Sequence, residues 1–123
     1  MNNRASDVEL NPVYKILTRT HWEEARRAGQ YAGSQDDLRD GFIHLSAIHQ
    51  VAGTAARHFR GIDELVLVAL DSERLGSALK WEPSRGGDLF PHFYGPLPTS
   101  AALWSKPLPL GADGVPVIPE EVR

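Results

Sequence analysis

Not one of the 123 residues is cysteine. A disulfide framework, a thiol nucleophile and a cysteine zinc site are thereby excluded, and a reducing compartment is compatible with the chain. Long apolar runs are missing too. No stretch approaches the ~20 apolar residues that a membrane-spanning helix needs, and the opening Met1-Asn2-Asn3-Arg4-Ala5-Ser6-Asp7 is polar. We expect a soluble, cytoplasmic monomer without membrane contacts. Concentrated positive charge is the third absence: the net charge is −3, and bases mix with acids, as in Glu23-Glu24-Ala25-Arg26-Arg27. Binding along a nucleic-acid backbone draws on a basic stripe, so general DNA or RNA binding is not expected. A small nucleotide, whose few phosphates need one or two donors, stays within reach.

What is present suits one domain spanning 1–123, with an ordered core over 12–109 and a proline-rich tail at the surface. Val13–Thr18 has the β-branched and aromatic density of a strand. Thr20-His21-Trp22-Glu23 fits a capping box opening a short helix with Trp22, Ala25 and Arg26 on one side and Gly29 as its stop. Gln30 to Gly41 reads as a polar surface loop. In Gly41–Ser46, strand alternation sends Ile43 and Leu45 to one face and Phe42 and His44 to the other. Ser46 is placed to cap a helix in which Ile48, Val51, Ala52, Ala55 and Phe59 recur at helical spacing before Gly61. Leu65–Leu70 is a continuous apolar run of strand length, the expected centre of a sheet buried on both faces. Asp71 or Ser72 caps a single turn, Leu79–Glu82 is a short strand, and Ala101–Ser105 is the last strand. Strands and helices do not alternate regularly, and a glycine-rich dinucleotide fingerprint is lacking. The fold class is therefore α+β, with two largely antiparallel sheets and short helices.

Candidate chemistry concentrates in two places. The first is His44, mid-strand beside Phe42, able to orient a ribose hydroxyl or accept a proton; the alternative is a histidine at the core edge satisfied by backbone. The second is the stretch from Trp81 to Pro98, which reads as a semi-rigid loop shaped by glycines and prolines. Arg85 suits a bidentate clamp on phosphate or carboxylate, Tyr94 and His92 suit ligand contacts, and Glu82 suits a general base or a stabiliser of developing positive charge. An ion pair between Glu82 and Arg85 that merely holds the loop is the competing account. Trp81, Phe90 and Phe93 read as core. No metal site is expected, because the spacing of His44, Glu82 and His92 matches no ligand pattern. His21, His49 and His58 read as helix-surface residues without a chemical role.

The strings Asp40-Gly41-Phe42-Ile43-His44-Leu45-Ser46, Trp81-Glu82-Pro83-Ser84-Arg85-Gly86-Gly87-Asp88 and Phe90–Pro98 resemble those of the domain of unknown function 952 family, in the same order and over residues 13–109. The resemblance implies an ADP-ribosyltransferase-like fold, in which small antiparallel sheets enclose a cleft for NAD. The order is most similar to RNA 2′-phosphotransferases, and it places their histidine-leucine-serine strand on His44, Leu45 and Ser46 and their early threonine on Thr18. Where those relatives hold the nicotinamide ribose with a histidine, this chain has Ile16.

Two functions follow as expectations. In one, NAD, ADP-ribose or a related phosphorylated nucleotide lies in a cleft lined by Thr18, His44, Ser46, Glu82, Arg85, His92 and Tyr94, and His44 and Glu82 act in an ADP-ribosyl-type transfer. In the other, the same segment belongs to a noncatalytic module that holds a small anion or a partner peptide.

Overall fold

The computed structural model describes residues 12–122; the polar opening segment read above lies outside the described residues. Strand β1 (Val13–Thr18) leads into helix α1 (Arg19–Ala28), followed by the two-residue strand β2 (Gln30–Tyr31), helix α2 (Gln35–Asp40), strand β3 (Ile43–His44) and helix α3 (Ile48–His58). The second half is β4 (Leu65–Leu70), the single turn α4 (Ser72–Leu75), β5 (Leu79–Pro83), β6 (Leu89–Phe93), β7 (Leu97–Pro98) and β8 (Ala102–Leu108). All pairings are antiparallel: β1-β4-β8 form one sheet, β3-β6-β5 a second, and β2-β7 a two-stranded ribbon. The architecture is a small α+β domain.

Strand β4 is buried along its whole length, as its unbroken apolar run requires. Val66, Val68 and Leu70 face one cluster with Val13, Leu17, Trp22 and Phe93, while Leu65, Leu67 and Ala69 face another with Tyr14, Ile16, Val51 and Ala55. Each fully buried aliphatic side chain contributes about 1.5–3 kcal/mol of transfer free energy, so these two layers are the principal apolar support of the domain. Helix α3 covers the second face with Val51 and Ala55. A reciprocal pair of backbone bonds, Tyr14 N–H to Ser46 O at 2.8 Å and Ser46 N–H to Tyr14 O at 2.9 Å, stitches the end of the β3 segment to β1. That stitch joins the two larger sheets at an edge and leaves a hollow beside it.

Several expectations are corrected. Thr18, not Thr20, caps α1: its hydroxyl accepts from His21 N–H at 3.2 Å, and the helix begins two residues early. The stretch from Gln30 to Gly41 is not a plain surface loop but holds β2 and α2, with Tyr31 and Asp37 buried. Ser34 and Asp37 form a capping box there, which the pattern Ser34-Gln35-Asp36-Asp37 allows because a carboxylate at the third helical position can reach back to the cap. Gly33 is needed at φ +118°, where an added Cβ would fall 2.9 Å from the Asp37 Cβ, so its missing side chain lets the chain pass this carboxylate. Ser46 does not cap α3; the cap position is Ala47, and Gln50 Oε1 accepts from the Ala47 N–H at 2.9 Å. The segment 81–98 is mostly hairpin, not loop, with β5 and β6 joined through a short turn at 84–88. Trp81, expected in the core, is 45% exposed because it lies on the outer strand β5. The last strand runs on to Leu108, and the tail packs Ile118 into the second cluster instead of lying free at the surface.

Candidate functional site

Strand alternation sets up the site. In the β3-β6-β5 sheet, His44 pairs with His92, His92 with Lys80, and Phe90 with Glu82. A period of two sends Phe42, His44, Glu82, Phe90, His92 and Tyr94 to one face, and cross-strand partners there come into contact. The Phe42 ring stacks on His92 at 3.9 Å between centroids and lies 4.6 Å from His44 and 5.5 Å from Tyr94. The two imidazoles meet edge to face with centroids 5.7 Å apart.

Each imidazole is held by a carboxylate. His44 Nδ1 is 2.6 Å from Asp37 Oδ1, which also accepts the His44 backbone N–H at 3.0 Å. His44 Nε2 lies 2.9 Å from Asp40 Oδ2. Asp37 accepts as well from the Lys15 ammonium at 3.0 Å and from the Ser34 N–H at 2.9 Å. Burial pushes the Asp37 carboxyl upward, but the His44 hydrogen bond, the Lys15 charge and the backbone N–H donors outweigh it, leaving the group well below the usual carboxylate range. Burial pulls the Lys15 ammonium downward from its ordinary value, against the restoring pull of Asp37. An ionised Asp37 only accepts, so Nδ1 is the donating nitrogen of His44. Lys15 also donates to the His44 carbonyl at 2.9 Å, which ties helix α2, β1 and β3 together around one buried carboxylate.

The second pair has a different setting. His92 Nδ1 is 2.7 Å from Glu82 Oε1, and the Tyr94 hydroxyl donates to that same oxygen at 2.8 Å. Both bonds hold the Glu82 carboxyl below its ordinary value, the His92 bond more strongly, and Glu82 in turn raises the Tyr94 phenol. His92 is only 3% exposed, yet Glu82 and Tyr94 lie at the surface.

A cavity of about 490 Å³ opens between these strands, α2 and α3. Of the residues singled out from sequence, His44, Ser46, Arg85 and His92 line it. Glu82 and Tyr94 are gathered into the cluster but stand behind His92, outside the lining. Thr18 is apart from both, engaged at the start of α1. Ser46 Oγ is 3.1 Å from Thr54 Oγ1. Glu82 and Arg85 form no ion pair; the Arg85 guanidinium lies 4.9 Å from the Phe90 ring centroid and packs toward α3 at Gly53, where an added Cβ would be 3.6 Å from Nη2.

Sequence reasoning missed Lys15, Asp37, Asp40, Arg57 and His58. Lys15 was absorbed into an apolar strand, and the capping pattern Ser34-x-x-Asp37 was the available signal for Asp37. His58, read as a surface residue, lines the cavity; burial and the nearby charges of Arg85 and Arg57 lower its pKa. In the lining, Lys15 is paired with Asp37, and Arg39 with Asp36 and Asp40, whereas Arg57 and Arg85 have no carboxylate partner among the described residues. Among the described residues no group of three or more histidines and carboxylates is arranged to hold a metal ion, and no helix is long and apolar enough to cross a membrane.

The chain is similar to protein CC0527 from Caulobacter crescentus. Its crystal structure matches with a TM-score of 0.87 at 50% identity, over 90% of this chain and 97% of that one. The solution NMR structure of CC0527 matches with a TM-score of 0.77 at 53% identity, over 85% of this chain and 90% of that one. No curated protein matches. The profile described as "Protein of unknown function (DUF952)" matches residues 16–105, and this chain belongs to that family.

Proposed function

We propose that the cavity takes up a small phosphorylated nucleotide, with NAD and ADP-ribose as first candidates. One observation carries the reading: Arg57 and Arg85 both line the same hollow, and neither has a carboxylate partner among the described residues. An arginine free of an internal partner is a strong bidentate donor for phosphate oxygens. The volume of about 490 Å³ falls within the range of small-molecule sites. Phe90 beneath Arg85 limits where that guanidinium can swing, and Phe42, outside the lining, packs against both histidines and limits their movement. The resemblance to ADP-ribosyltransferases supports the ligand class and supplies the reaction to test first, an ADP-ribosyl-type transfer. Within it, His44 orients a ribose hydroxyl, Arg85 holds a phosphate, and Glu82 acts by holding His92, because its carboxylate is outside the lining.

Calorimetry with NAD, ADP-ribose and a ribonucleoside monophosphate tests the reading. At least one should bind, and Arg85→Ala should weaken it by roughly 10–100-fold, the cost of a charged hydrogen bond. Absence of heat with all three at millimolar concentration would overturn it. The noncatalytic alternative is favoured by the same unpaired arginines; it predicts anion binding that is insensitive to Glu82→Gln, without turnover of any of the three.

A further inference from the structure

We propose that His44 and His92 form an acid–base pair that hydrolyses the phosphodiester of a small cyclic ribonucleotide, an inference that rests on the nucleotide-binding reading above. Cleavage of a phosphodiester by water needs one group to remove a proton from the attacking water and another to protonate the departing oxygen. Neighbouring imidazoles on adjacent strands, in edge contact at 5.7 Å between centroids and lining one cavity, satisfy that need when a phosphate is bound in the cavity against both rings.

Their partners assign the roles. Both nitrogens of His44 lie on carboxylates, Nδ1 on Asp37 and Nε2 on Asp40, and carboxylates only accept, so both ring nitrogens are placed as donors. His92 donates through Nδ1 to the Glu82 carboxylate, which in the neutral ring leaves the lone pair on Nε2, an atom engaged by no hydrogen bond among the described residues. His92 is therefore the base and His44 the acid. Water loses a proton to His92 Nε2 as its oxygen bonds to phosphorus; the bond from phosphorus to one ribose oxygen breaks, and that oxygen takes a proton from His44 Nε2. The product is a ribonucleoside monophosphate, and the two imidazoles exchange protonation states until solvent resets them. Asp40 yields its place on Nε2 to the leaving oxygen without being stranded, because Arg39 Nε holds it at 3.0 Å. Arg57 and Arg85 supply charge against the phosphorane-like transition state.

The test is phosphorus NMR of the full chain with a ribonucleoside 2′,3′-cyclic phosphate, beside calorimetry with the monophosphate product. The cyclic signal should give way to a phosphomonoester, and His44→Gln and His92→Ala should each lower kcat roughly 100-fold. Because His92 is buried, Glu82→Gln serves as the second variant: it keeps the fold and moves the pH–rate profile while leaving KM nearly unchanged. That profile reflects every group around the pair, with Asp37, Asp40 and Lys15 at His44, Glu82, Tyr94 and Lys80 near His92, and His58, Arg57 and Arg85 on the cavity wall. Monophosphate binding without phosphomonoester formation overturns this inference and leaves the binding reading standing. Loss of both signals overturns the two together. Turnover that ignores Glu82→Gln and His44→Gln also overturns the assignment.

Discussion

Two carboxylate–histidine pairs stand side by side in this protein and differ in where the carboxylate is kept. Asp37 is 2% exposed and bound by an ammonium, an imidazole and two backbone N–H groups; Glu82 is 36% exposed and bound by an imidazole and a phenol. The buried carboxylate has little access to water and depends on its protein donors. The exposed one can exchange a protein donor for solvent. We read Asp37 as a structural keystone that also aims His44, and Glu82 as an adjustable support for His92.

The strongest way to break the comparison is to delete each acid. Asp37→Ala should cost ~3–5 kcal/mol in denaturant unfolding, because it leaves the Lys15 ammonium buried without its counter-charge. Adding Lys15→Met should recover much of that loss, since an apolar stem needs no partner. Glu82→Gln should leave the denaturation midpoint close to the parent; an equal loss in both single variants would erase the distinction.

Acid sharpens it next. The Asp37 carboxyl is lower in the folded chain than its ordinary unfolded value of about 3.9. Its contribution is therefore complete above that value and is lost progressively as pH falls toward the folded one. Unfolding free energy measured from pH ~6 down to ~2 should fall steeply in the parent and in Glu82→Gln, and more gently in Asp37→Asn. Smaller still is the effect of the cap. Ser34→Ala removes the hydroxyl that accepts from the Asp37 N–H and should cost about 1 kcal/mol, with faster hydrogen exchange confined to helix α2. A change spread over the whole domain would mean that α2 is not an independently loosened element.

Much of the fold was legible because the relevant forces are local. The run Leu65–Leu70 announces a strand buried on both faces, and α3 shows itself through Val51 and Ala55. The region from Gln30 to Gly41 was misread because polarity was taken as solvent exposure. Asp37 is polar and buried at once, which only partners brought from residues 15 and 44 can stabilise. The hairpin of β5 and β6 was hidden by its own prolines. Pro83 and Pro91 look like loop punctuation, yet each occupies a strand position. In the site, His44, Arg85 and His92 stood out by residue type. Arg57 did not, since an arginine on an amphipathic helix carries no mark of which neighbours lack an acid.

From the sequence alone came the absence of thiol chemistry, the α+β class, the central apolar strand and the alternation that puts Phe42 with His44. Those features follow from composition and from periodicities of a few residues, which a chain carries wherever it goes. Tertiary structure decided that Lys15, Asp37 and His44 share one network around a buried carboxylate, that Glu82 stands behind His92 instead of facing the cavity, and that two arginines have no carboxylate partner among the described residues. Charge pairing and burial are properties of groups distant in sequence, and strand order and register alone bring such groups within reach of one another.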